Sequence, residues 1–130
     1  MVYLVDDDID DIEIVQDALL QNSYKGPVTT AANGKVLMDV LQKPDTRKPD
    51  VIILDLNMPL KNGFETLEEI KHNPALRNIP VIILTASSNK LDEIRCFELG
   101  CNFFYTKPSS MPEYNPLVME VKKFIGGHSS

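Results

Sequence analysis

The chain has 130 residues, 43% hydrophobic and 25% charged, with 13 basic against 19 acidic side chains and a formal net charge of −6. That is enough for one compact domain over 1–130, with an ordered core of about 2–125, and too apolar and too poor in Gly and Pro for disorder. Apolar runs fall short of the about 18 residues that span a bilayer, the start lacks the basic flank of a secretory signal, and the acidic surface repels nucleic-acid phosphates. The expected location is the cytoplasm, with Cys96 and Cys101 as reduced, half-buried thiols.

Short apolar runs alternate with amphipathic stretches. Val2–Val5 has the length of a buried strand, and Ile9 to Gln21 carries Ile12, Val15 and Leu19 at helical spacing. Asp8 can cap that helix, and Asp10, Asp11 and Glu13 suit the positive end of its dipole. A turn at Lys25-Gly26-Pro27 leads to a strand over Val28–Ala32. A helix from about Gly34 to Lys43 is expected to face Val36, Leu37, Val40 and Leu41 inward. Pro44–Pro49 is a charged loop.

Val51-Ile52-Ile53-Leu54 is the clearest strand, β-branched and apolar on both faces as a central parallel strand requires. A loop through Pro59 and Gly63 leads to a helix bearing Phe64, Leu67 and Ile70, which stops near Asn73-Pro74. Val81-Ile82-Ile83-Leu84 is another buried strand. The next helix shows Leu91, Ile94 and Phe97, with Gly100 as its left-handed stop. Asn102–Thr106 reads as the fifth strand and Ser109–Tyr114 as an irregular connector. A last helix from Pro116 is expected to bury Leu117, Val121 and Phe124. His72 and His128 find no partner in the pattern and read as surface residues.

Strand–helix alternation repeated five times implies an α/β fold, a parallel sheet with helices on both faces. In such a sheet the residues just past each strand meet at one edge, where ligands bind. Asp6, Asp7 and Asp8 follow the first strand, Asp55 and Asn57 the third, Thr85 and Ala86 the fourth, and Lys107 and Pro108 the fifth. Two carboxylates about 5 Å apart repel by roughly 3 kcal/mol at an effective dielectric of 20, so a proton or a cation must intervene. With no His or Cys at that edge, a hard divalent ion such as Mg²⁺ suits the site better than zinc or copper. One carboxylate is then left as a nucleophile for phosphoryl transfer: Asp55 attacks, Lys107 neutralises charge and Thr85 donates a hydroxyl hydrogen bond.

An Asp-Asp pair after the first strand, an Asp after the third, Thr-Ala after the fourth and Lys-Pro after the fifth resemble the receiver domain of two-component response regulators. The likeness runs from Val2 to about Ile125 and is closest over Val51–Gly63. It implies a five-stranded, doubly wound, flavodoxin-like sheet with strand order 2-1-3-4-5. It implies Asp55 as the phosphoacceptor, Asp7 as the direct metal ligand, Asp6 acting on the metal's water shell, and Asn57 coordinating through its backbone carbonyl. Thr85 and Lys107 match the pair that grips the phosphoryl group, and Phe104 the aromatic switch position. Asn57 and Ser87 lie where the family tunes hydrolysis.

The resemblance further implies a stand-alone signalling switch rather than a free-standing enzyme. Its donor would be a sensor histidine kinase or a histidine phosphotransfer protein, and its output protein contact, with a homodimer allowed through the fourth helix, fifth strand and fifth helix. Two other readings use the same architecture. A haloacid-dehalogenase-like phosphatase wants a second acid where Asn57 stands, and a flavodoxin-like FMN carrier would have its phosphate repelled by Asp6–Asp8. A degenerate scaffold is disfavoured by the intact acid, Thr and Lys set.

Overall fold

The computed structural model describes residues 1–45 and 47–126; His128 lies outside them. Every predicted element forms: β1 (Val2–Val5), α1 (Ile9–Gln21), β2 (Val28–Ala31), α2 (Gly34–Leu41), β3 (Val51–Leu54), α3 (Gly63–His72), β4 (Val81–Thr85), α4 (Lys90–Glu98), β5 (Phe103–Thr106) and α5 (Asn115–Gly126). The strands make one parallel sheet in the order β2-β1-β3-β4-β5. The fold is therefore the expected doubly wound one with β3 at its centre.

Alternation along each strand sorts the core into two layers. Val5, Leu54 and Ile83 pack with Leu37, Leu67 and Cys96 beneath α2, α3 and α4. Leu4, Ile53 and Ile82 pack with Val15, Leu19, Leu117 and Val121 beneath α1 and α5. All four residues of β3 are at most 1% exposed, and burying each contributes about 1.5–3 kcal/mol. The caps follow local chemistry. Asp8 accepts from the Asp10 and Asp11 amides at the start of α1, and Asn62 with Glu65 forms a reciprocal capping box on α3.

Several details depart from the pattern read in the sequence. Val36 is 41% exposed, because Leu37, Met38 and Leu41 take the inward stripe of a short α2. Leu91, Ile94 and Phe97 are 73%, 46% and 48% exposed. On α4 the inward line is instead Asp92, Glu93, Cys96 and Leu99, of which only Cys96 is fully buried. The connector is not irregular either. Met111–Tyr114 forms a 3₁₀ turn that buries Tyr114, and α5 then begins at Asn115 rather than Pro116. Differences of one or two residues at the ends of β2, α2 and β5 are ordinary fraying. Cys96 and Cys101 are buried rather than half-buried. Burial, with a smaller push from neighbouring charge, raises the Cys96 thiol to about 12; Cys101, also raised mainly by burial, reaches about 11.

Candidate functional site

The parallel register builds the acidic core of the site. Val5 lies opposite Leu54, and the ladder continues one residue further. The Asp55 amide donates to Val5 O at 3.0 Å, while the Asp6 amide donates to Ala31 O at 3.1 Å. Asp6 and Asp55 therefore leave adjacent strands side by side, 3% and 5% exposed, whereas Asp7 is exposed. Leu56 N–H donates to Asp55 Oδ1 at 2.7 Å, and Asp8 N–H to Asp6 Oδ1 at 2.9 Å. Gly63 closes the floor. Its amide donates to Leu56 O at 2.9 Å, and a Cβ there would lie 2.2 Å from Asp55 O, so only glycine lets α3 approach this closely.

Lys107 is aimed by the far side of the sheet. Its amide donates to Thr85 O at 2.7 Å, extending the β4–β5 ladder past its end. Its ammonium lies 2.8 Å from Asp6 Oδ2, 2.6 Å from Asp11 Oδ2 and 3.3 Å from Asp55 Oδ2. An ammonium has three protons, and three acids surround it. Burial pushes the Asp6 carboxyl up to about 6; hydrogen bonds from Lys107 and the Asp8 amide oppose the rise, and the charge of Asp55 adds to it. For Lys107, burial alone would favour loss of its proton, but the bonds to Asp11 and Asp6 and the charge of Asp55 prevail and hold its pKa above the usual lysine value.

Ligand oxygens of Asp6, Asp7 and Asp55 all lie within 4.8 Å of one another. An all-oxygen, multiply anionic donor set with one exposed member fits a hard divalent cation that keeps part of its water shell. Among the described residues this is a group that can hold such an ion, and the two cysteines are buried in the core beneath α4. Asp8 is spent on capping α1, and His72, exposed, has its Nδ1 at 2.8 Å from Glu68 O.

The remaining predicted residues make no side-chain hydrogen bond to these acids among the described residues. Thr85 is fully buried at the end of β4, and its Oγ1 accepts from Ser87 N–H at 3.4 Å. Ser87 is tied further: Thr106 Oγ1 donates to Ser87 O at 2.9 Å, Ser87 Oγ donates to Asp92 Oδ2 at 2.7 Å, and the Asn89 amide donates to Ser87 Oγ at 3.2 Å. Asn57 is exposed in the loop after β3. Phe104 is half-buried opposite Ile83 and packs against the α2–α3–α4 layer. Sequence reasoning missed Asp11 as a member of the cluster, giving it only a dipole role. The signal was its place three residues after the cap, at the helix end that faces the strand tips.

Comparison with known proteins identifies the family. The family model of the response regulator receiver domain matches residues 2–118. The chain is 34% identical over 128 residues to the response regulator Rcp1 of Synechocystis sp., covering 95% of this chain and 87% of that protein. It superposes with a TM-score of 0.84 on the crystal structure of the phosphorylated cyanobacterial phytochrome response regulator RcpA, at 34% identity, covering 95% of this chain and 91% of that one. The Mn²⁺-bound form of Rcp1 matches equally well, with a TM-score of 0.84, 34% identity, and 95% and 92% coverage. Among the described residues no helix is long and apolar enough to cross a membrane. With its fold, its acidic pocket and its matched span all in agreement, the chain belongs to the receiver domain family of response regulators.

Proposed function

We propose that Asp55 accepts a phosphoryl group from a phosphohistidine, carried by a sensor histidine kinase or a histidine phosphotransfer protein, and that the modification switches a protein-binding surface. The observation that supports this most is the convergence of Asp6, Asp7 and Asp55 with the Lys107 ammonium at one sheet edge. A carboxylate oxygen of Asp55 attacks phosphorus. The P–N bond breaks, and its electron pair stays on the imidazole nitrogen, which takes up a proton. Asp7, Asp55 and the Asn57 carbonyl would hold Mg²⁺, with Asp6 beside its water shell, and the ion would supply positive charge against the phosphoryl oxygens. Lys107 adds a second positive charge, and the Thr85 hydroxyl donates to a phosphoryl oxygen.

Phosphorylation adds a charge of roughly −1.5 to −2. Movement of Thr85 toward that charge leaves room for Phe104 to turn inward, which biases the surface of α4, β5 and α5 toward a downstream protein or a second copy of the chain. The reading is of a switch located in the cytoplasm that assists its own phosphorylation and dephosphorylation, without direct nucleic-acid contact. Incubation with acetyl phosphate and Mg²⁺, followed by intact mass, tests it. One phosphoryl adduct is expected on the wild type and none on Asp55→Asn or in the presence of a chelator. An adduct that survives Asp55→Asn would move the acceptor elsewhere and end the proposal.

A further inference from the structure

Asp11 makes the shortest contact to Lys107 and has no part in the reaction as set out above. We propose that Asp11 is a positioning residue: it holds the Lys107 ammonium in the unphosphorylated state and yields it to the phosphoryl group once Asp55 is modified. The inference rests on Asp55 being the phosphoacceptor.

The ammonium's three protons are already matched by Asp6, Asp11 and Asp55 at 2.8, 2.6 and 3.3 Å. A phosphoryl oxygen can be bonded only by releasing one of these acids. Asp6 has a side chain only 4% exposed, and losing Lys107 would leave a buried, uncompensated carboxylate. The Asp55 carboxylate, the longest contact at 3.3 Å, gives up its own charge when it is esterified and frees one proton, so a second bond to the phosphoryl dianion requires one of the other two acids to let go. Asp11 has a side chain 25% exposed and stands on the first turn of α1, where water can replace the ammonium and the helix dipole favours the anion. Of the two acids that keep their charge, Asp11 is therefore the one whose release costs less. Asp10, in the same turn, is exposed, and no cation contacts it among the described residues. Dipole chemistry alone thus leaves the Asp11 contact unexplained.

Removing Asp11 should move two affinities in opposite directions. Without its carboxylate, Lys107 presses harder on Asp6 and Asp55, so Mg²⁺ alone binds more weakly. Lys107 is also freed from a competitor, so a phosphoryl mimic binds more tightly. Titration calorimetry with Mg²⁺ alone, and with beryllofluoride at saturating Mg²⁺, reads both. Asp11→Asn is expected to weaken the first and tighten the second by roughly threefold, the scale of a partly exposed ion pair. Asp11→Glu should return both toward wild type, and Asp10→Asn should leave both near wild type. A general folding defect would weaken both affinities together. Equal affinities in Asp11→Asn and wild type, a shift of both in one direction, or an equal response in Asp10→Asn would overturn the inference. Wild type that fails to bind beryllofluoride would overturn the phosphoacceptor reading, and this one with it.

Discussion

The two halves of the site are built to different standards. On the β1–β3 side both strands are fully buried, Asp55 is fixed by the Val5 carbonyl and the Leu56 amide, and Gly63 brings α3 against its backbone. On the β4–β5 side, β5 is half-exposed along most of its length, α4 buries only Cys96, and the loop after β4 is tied by the polar bonds of Ser87 to Thr106 and Asp92. Local opening is easiest where few apolar contacts must break. The proposed nucleophile thus stands on the half that cannot give, and the residues proposed to respond stand on the half that can.

Stability measurements can break that contrast. Leu54→Ala, in the fully buried centre of β3, should cost about 2–5 kcal/mol in a denaturant titration. Ionisation tests the acid cluster next. Asp6 titrates near 6 rather than at its ordinary 3.8, so the metal-free fold binds this proton more tightly than the unfolded chain does. Its stability should fall as pH rises from about 4 to about 6. A divalent ion must displace the same proton. Its affinity should therefore drop with falling pH below about 6, by up to about 1.4 kcal/mol per unit in calorimetry. Metal binding that is flat across this range would remove Asp6 from the site.

Smaller effects belong to the looser half. Ser87→Ala cuts the bond to Asp92, and a loss of about 0.5–1.5 kcal/mol is expected, with amide exchange accelerated at the start of α4. Unchanged exchange there would mean that the loop is held by something other than these polar bonds. Leu91→Ala, at a position 73% exposed, should stay within about 0.5 kcal/mol of wild type. A cost approaching that of Leu54→Ala would show α4 to be packed as firmly as β3, and the contrast would be gone.

What the sequence revealed of the site followed the same division. Asp6 and Asp55 were readable because parallel pairing leaves no freedom: once Val5 faces Leu54, the next two residues must be neighbours. Lys107 was readable for the same reason, one ladder step beyond Thr85. Asp11 was not, since a helical side chain's target depends on how the helix is set on the sheet, and the acidic run offered several equivalent candidates. Nor was the exposure of Leu91, Ile94 and Phe97, because apolar residues at helical spacing do not say which stripe turns inward. The 3₁₀ turn before α5 was hidden by two prolines that suggested only interruption, while Tyr114, its anchor, carried no periodic signal.

The sheet order has a consequence for the chain as it is being made. With β3 in the middle and no hairpin anywhere in the sheet, each neighbouring pair of strands must wait for the segment that connects them, and such distant pairings form late. The lysine comes from the tip of the last strand to leave the ribosome. Until that strand docks, Asp55 lacks the cation that completes its surroundings, so an unfinished chain carries the proposed acceptor carboxylate without its neighbouring positive charge.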